Sequence, residues 1–179
     1  MLSYEQSKKI LKKAKINIKD EKINSIKSLN RVVSSNVYSN INYPTGDNAA
    51  FDGYAINSKD TNQIKKNSQK QFKIIGAIAA GSKPLKKKIK KFDAIEIMTG
   101  GIIPKGFDTI IPIEQINFYP NKKNKKYILI EQKIKKYKHL RFAGSDFKKG
   151  EIVIKKNTIV QPNHILAFKS LGIKQIRVK

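Results

Sequence analysis

The chain of 179 residues contains no cysteine, which removes disulfides, thiolate zinc sites and cysteine nucleophiles together. Histidine is nearly as scarce: His139 and His164 are the two present, too few to build a histidine metal centre. Long apolar runs are missing as well. The nearest, residues 74–80, is broken by Gly76 and falls well short of the roughly 18 to 20 residues that cross a bilayer. No membrane span is expected. Nor does the N-terminus, MLSYEQSKKILKKAKI, carry the apolar segment and small-residue cleavage site of a secretory signal, so a cytoplasmic location is expected.

Acidic residues and arginine complete the absences. Thirteen acidic residues face 38 basic ones, a formal net charge of +25. Only Arg31, Arg141 and Arg177 are arginine, whereas base reading and bidentate phosphate clamping rely on the planar guanidinium. The excess is therefore lysine, interleaved with Ile and Asn along the whole length and densest at residues 86–91, 122–126 and 133–138. Such runs read as solvated loops and faces, although the field attracts small anions. Nucleic acid is not the expected partner. A lysine-rich nucleic-acid-binding β module stands as the alternative, and steep salt dependence of duplex binding would mark it.

What is present supports a core: 39% of residues are hydrophobic, enough for one ordinary domain or two small ones. Ser3 and Gln6 form an S-x-x-Q capping box ahead of a helix predicted over residues 4–15. A second short helix is predicted near residues 23–29, closed by Asn30 in the left-handed conformation. From Ile41 the pattern changes to short apolar runs, residues 54–56, 72–78, 94–98, 109–113 and 127–132, separated by turn formers. Residues 120–126, PNKKNKK, read as an exposed hairpin connection. Pro162 opens a helix that Gly172 ends, and a last strand over residues 174–178 reaches the end of the sequence, where something would normally follow to cover it. The fold class is α+β and β-rich.

Three clusters carry chemistry. In DNAAFDGYA, residues 47–55, Asp47 and Asp52 are either turn aspartates bonding their own backbone or carboxylates that hold a divalent cation or handle a proton. MTGGIIP, residues 98–104, follows an apolar strand; Thr99, Gly100 and Gly101 make an ordinary glycine turn or present a hydroxyl and bare amides to an oxyanion. AAGSKP, residues 79–84, is a turn in which Ser82 and Lys83 are possible anion contacts.

These clusters occur in an order, DNAAFDGYA, IIGAIAAG, EIMTGGIIPKGFDTIIPIE, RFAGSDF and a helix ending SLGI, that resembles the molybdopterin molybdotransferases, the MoeA / gephyrin E-domain family. The resemblance runs over essentially the entire chain. It implies an elongated, discontinuous linker domain, residues 1–41 and 138–179, with an inserted β-rich lobe over residues 42–137. The family's molybdopterin-binding and C-terminal domains would lie beyond the chain. It further implies a reaction that exchanges the adenylate of adenylylated molybdopterin for molybdate, with AMP released and magnesium involved. By match of motif the catalytic residues are Asp52 and Thr99, with Asp52 also a candidate magnesium ligand, while Asp47, Asn48, Gly53, Gly100 and Ser82 bind substrate or support the pair. Family members are homodimers whose cleft combines the second domain of one subunit with the third domain of the other. This chain would then supply one wall and be inactive alone, being either a gene fragment or a chain that needs a separately encoded molybdopterin-binding half; a dimeric scaffold without catalysis is the remaining reading. The chain departs from the family pattern at Phe51, where methionine is usual, and at Asn30 and Phe92, where glycine is usual. All of this requires the Asp52 carboxylate and the Thr99 hydroxyl to converge on one open rim of the lobe.

Overall fold

A computed structural model describes residues 1–14, 18–65, 68–82 and 87–179. In chain order its elements are helix α1 (Tyr4–Lys13) and strands β1 (Glu21–Asn24), β2 (Val37–Tyr38), β3 (Asn48–Ala49), β4 (Gly53–Ile56), β5 (Lys70–Ile78) and β6 (Asp93–Ile97). There follow β7 (Thr109–Pro112), β8 (Asn117–Pro120), β9 (Lys125–Ile130), β10 (Leu140–Arg141), β11 (Ile152–Ile154), helix α2 (Pro162–Ser170) and β12 (Gln175–Val178). The result is the expected α+β, β-rich fold. Among the described residues no helix is long and apolar enough to cross a membrane.

The chain divides into two compact units, Met1–Asn40 with Gly150–Lys179, and Ile41–Lys149. The first is therefore discontinuous. Its helix α1 begins at the expected capping box, with the Ser3 amide donating to Gln6 Oε1 at 2.8 Å and the Gln6 amide donating to Ser3 Oγ at 3.2 Å. The end expected at residue 15 lies outside the described residues. The short helix predicted over residues 23–29 forms only as a 3-10 helix over Ser25–Ser28. Ahead of it β1 pairs antiparallel with β12, Ile23 opposite Ile176, and the Asn24 side chain caps the 3-10 turn. The strand partner lies at the far end of the sequence, so a local reading of these residues sees only a short apolar repeat. Asn30 does close this turn in the left-handed region, at φ 63°. Helix α2 starts with proline, buries Phe168 and gives way at Gly172, φ +66°, as its sequence predicts.

The second unit is built on a six-stranded mixed sheet in the order β7-β4-β6-β5-β9-β8, in which only the β5–β6 pair is parallel. Strand β4 is buried along its whole length between β6 and β7. Period-two alternation divides its side chains between the sheet's faces. Tyr54 and Ile56 join Phe72, Ile128 and Ile130 in one core, and Ala55 joins Ile95, Ile97 and Ile110 in the other. Gly53 is required by this packing, because a Cβ there would meet the Ile111 carbonyl oxygen at 2.1 Å.

The end of this unit differs from the boundary expected at residue 137. Residues 138–149 belong to the lobe, because β10 pairs with β3, the Phe147 carbonyl accepts from the Tyr43 amide at 2.7 Å, and the Lys149 amide donates to Asn42 Oδ1 at 2.9 Å. In the discontinuous unit the flanking chain is stitched the same way, Ser39 and Glu151 being joined by an amide–carbonyl bond of 2.8 Å.

Asn30 and Phe92, the positions where the family pattern has glycine, both adopt left-handed backbone, φ 63° and 62°. Phe92 is held there by a bond from its amide to Asp60 Oδ2 of 2.9 Å and by its ring meeting Phe72 edge to face at 5.4 Å. The exposed Asn30 side chain has no comparable anchor among the described residues. Asn30→Ala is therefore expected to cost about 1 kcal/mol, and Asn30→Gly to leave stability unchanged or raise it by a few tenths. Urea midpoints of the two variants, measured side by side, check the difference.

Candidate active site

The β4–β6 register sets Gly53 opposite Ile97. Asp52 lies just before one strand and Thr99 just after the other, so the pairing that builds the sheet brings them together at one end of it. Both are exposed. The Thr99 amide donates to Asp52 Oδ1 at 2.6 Å, and the Thr99 hydroxyl donates to the same oxygen at 2.7 Å. These two donors hold the Asp52 carboxyl below its ordinary value of 3.8, the amide contributing most and the hydroxyl next. The Asp52 carbonyl oxygen also accepts from Ile113, at 3.1 Å, so the residue is tied on both sides. The convergence required of Asp52 and Thr99 on an open rim is met.

Around them the two motif loops are stitched together. The Gly100 amide donates to the Ala49 carbonyl at 2.9 Å, and the Ala49 amide returns a bond to the Gly101 carbonyl at 3.0 Å. Gly100 has φ +80°, and a Cβ on it would stand 3.6 Å from that of Ala80, which brings the turn at residues 79–82 alongside. Ser82 closes that turn through its amide, to the Ala79 carbonyl at 3.1 Å, and its side chain is exposed. Lys83 lies outside the described residues.

Asp47 faces elsewhere: its Oδ1 accepts from the Ala143 amide at 2.8 Å, fastening the strand β10 region to the motif loop. Asn48 is buried, and its Oδ1 finds no donor among the described residues.

The amide cradle that the TGG turn was expected to offer an oxyanion is not formed. The Thr99 amide is taken by Asp52, that of Gly100 by Ala49 and that of Gly101 by the Met98 carbonyl at 2.8 Å. The Thr99 hydroxyl also spends its proton on Asp52. What remains free for chemistry is Asp52 Oδ2, which accepts no hydrogen bond from the described residues. No three His, Asp or Glu side chains gather into a metal site among the described residues. A lone outward carboxylate oxygen does suit magnesium, which keeps most of its waters and is shared with substrate phosphate.

Sequence reading missed one neighbour. His139, in left-handed backbone at φ 58°, meets the Phe51 ring edge to face at 5.0 Å, and its carbonyl accepts from Ala50 at 3.0 Å. Its Nε2 is buried without a partner among the described residues; burial, and then Lys138, push its pKa down. Nothing local in the sequence links it to the DNAAFDGYA motif.

Residues 2–172 match the family model of the MoeA N-terminal region (domain I and II). The chain belongs to this MoeA family. Among curated MoeA-type relatives it is 29% identical over 178 residues to a molybdopterin molybdenumtransferase of Haemophilus influenzae, covering 99% of this chain and 42% of that protein. To a protein of the same name from Staphylococcus aureus strain Mu50 it is 28% identical over 152 residues, 85% of this chain and 35% of the relative. A crystal structure of a molybdopterin biosynthesis MoeA protein from Pyrococcus horikoshii OT3 matches with a TM-score of 0.80 and 31% identity over 90% of this chain and 41% of that one. A second MoeA structure from Pyrococcus horikoshii matches 97% of this chain and 43% of its own length, with a TM-score of 0.82 at 28% identity. The chain thus spans less than half the length of each of these relatives.

The Asp52 carboxyl has a lower pKa folded than unfolded, so its link to Thr99 stabilises the fold at neutral pH and that contribution is lost as pH falls through the folded value. Carboxyl NMR titration is expected to place Asp52 below 3.8, and Thr99→Val, which keeps the amide donor, to move it only part of the way back. An Asp52 titration unchanged by Thr99→Val would remove the hydroxyl from this account.

Proposed function

We propose that this chain supplies one wall of a molybdenum-cofactor-forming active site, in which adenylylated molybdopterin exchanges its adenylate for molybdate and AMP is released. The observation that carries the reading is the double donation from Thr99 to Asp52 Oδ1, which leaves Oδ2 as an oriented, ionised acceptor on an open rim. Asp52 would hold magnesium through Oδ2, and the ion would supply charge neutralisation at the substrate phosphate. Thr99 positions the carboxylate and keeps it ionised. With the TGG amides all bonded within the protein, anionic substrate would be held here through a cation on Asp52 and through groups on the opposing wall. Asn48, with its buried unpartnered Oδ1, and the turns at Gly100 and Ser82 lie in the loops beside the pair. The family resemblance supports placing the molybdopterin-binding wall in a third domain, contributed across a homodimer in the cytoplasm or by a separately encoded half.

A chimera in which this chain replaces the equivalent region of the Haemophilus influenzae relative tests the reading by AMP release from adenylylated molybdopterin in the presence of molybdate and magnesium. The chimera is expected to be active and this chain alone inactive. Asp52→Asn is expected to lower the rate by about 100-fold or more, and Thr99→Val by less, because the amide bond to Asp52 survives. Full activity of Asp52→Asn in the chimera would favour the scaffold reading instead. AMP release by this chain unaided would contradict the need for a second wall.

A further inference from the structure

The opposite end of the same sheet carries a second feature. Residues 87–91 lead into β6 at Asp93, whereas Thr99 follows its other end, so the two regions are separated by the length of the strand, roughly 17 Å at 3.3 Å per residue. At the Asp93 end a cavity of about 580 Å³ is lined by Lys87, Lys88, Lys90 and Lys91 on one side and by Lys105 and Gly106 on the other. Asn57 and Asp60 lie between them.

These five lysines are gathered by fixed backbone. The Lys90 amide donates to Asp93 Oδ2 at 2.7 Å, and the Phe92 amide donates to Asp60 Oδ2 at 2.9 Å, so two carboxylates hold the lysine loop by its main chain. Across the cavity the loop's Ile89 packs on Gly106, where a Cβ would stand 3.2 Å from Ile89 Cδ1 and where φ is +107°. Among the described residues none of these ammonium groups forms an ion pair, although the Asp60 carboxylate shares the lining. The ion pairs among the described residues join Arg31 to Glu21, Lys125 to Glu96, Arg141 to Asp146 and Arg177 to Asp20, and none includes a lysine of this cavity. Lys87 reaches the Ile75 carbonyl at 3.3 Å, and Lys91 reaches Gln63 Oε1 at 3.4 Å and lies over the Phe92 ring at 5.0 Å, all neutral partners.

Like charges confined in a concave wall repel one another and focus a positive field into the cavity, so a multivalent anion gains there what a scattered lysine surface does not offer. Lysine binds phosphate as a point charge, without the planar fork that reads a base edge. Among the described residues no aromatic ring lines the cavity, so they offer a nucleobase nothing to stack upon. Its volume suits a small molecule. We propose that this cavity is a binding site for a short chain of linked phosphates, as in inorganic polyphosphate or the phosphate tail of a nucleotide. The site is separate from the Asp52–Thr99 rim and does not depend on the function proposed for it.

Calorimetric titration of the intact chain with inorganic tripolyphosphate at about 0.15 M salt tests the assignment, with sulfate as the single-anion control. One saturable equivalent is expected, with sulfate far weaker. The triple variant Lys88→Gln, Lys91→Gln, Lys105→Gln is expected to weaken binding by about tenfold or more, since each lost ammonium removes a charge-assisted contact. Lys122→Gln, Lys123→Gln, Lys126→Gln removes the same charge from the exposed hairpin region and should change affinity by less than about twofold if the field of the whole protein is a minor part. Equal weakening by the two triples, binding without saturation, or no binding would overturn the proposal. If the cavity triple fails to fold by circular dichroism, Lys105→Gln alone decides, a loss of about threefold or more supporting the site and unchanged affinity refuting it. ATP competing as well as tripolyphosphate would assign the phosphate source to nucleotides, and ATP failing to compete would assign it to inorganic chains. A single-stranded oligonucleotide displacing tripolyphosphate at equal phosphate concentration would overturn the small-ligand assignment in favour of nucleic acid.

Discussion

The pairing of β4 with β6, Gly53 opposite Ile97 and Ile56 opposite Ala94, is the constraint from which the meeting of Asp52 and Thr99 follows. It is fixed by burial on both faces. A slip of one residue would carry Tyr54 and Ile56 into the space of Ala55, exchange the two cores and separate Asp52 from the Thr99 amide. It would also bring a side chain where only Gly53 fits against the Ile111 carbonyl. The hydrophobic alternation of a four-residue strand thus positions a polar pair that lies outside it.

That pair is arranged differently from a phosphate-binding glycine loop. There, backbone amides point outward and the anion completes their hydrogen bonds. Here the amides of Thr99, Gly100 and Gly101 are satisfied within the protein, and the exposed group is a carboxylate. An anionic substrate approaching it meets like charge. The rim becomes hospitable to an anion only with a cation or a proton between them, a condition that an amide nest would not impose.

Much of this was legible in the sequence. The capping box at Ser3 and Gln6, the proline start and glycine stop of α2, the left-handed Asn30 and the core strands at Tyr54, Ile95 and Ile110 are all specified by neighbours within a few residues. The order of the motifs gave the family and the convergence of Asp52 with Thr99. What escaped depends on contacts between distant segments. β1 reads as helix until β12 is seen beside it, and residues 138–149 read as linker until β10 is found on β3. The lost amide cradle belongs to the same class, since nothing in TGG announces that Ala49 and Asp52 will take its donors. His139 escaped because an edge-to-face contact with Phe51 leaves no pattern in either stretch of chain.

The stitching of the lobe's two ends has a consequence for how the rest of the chain is made. Tyr43 bonds Phe147, Asn42 bonds Lys149, and Ser39 meets Glu151 just outside. The polypeptide therefore leaves the discontinuous unit and returns to it at nearly the same point. Once the lobe has formed, the host no longer bears the entropy of closing a long loop and meets instead something close to a tight reverse turn. An insertion of this kind tolerates lengthening of its remote connections, such as residues 120–126, because no added residue there alters the distance its host must span.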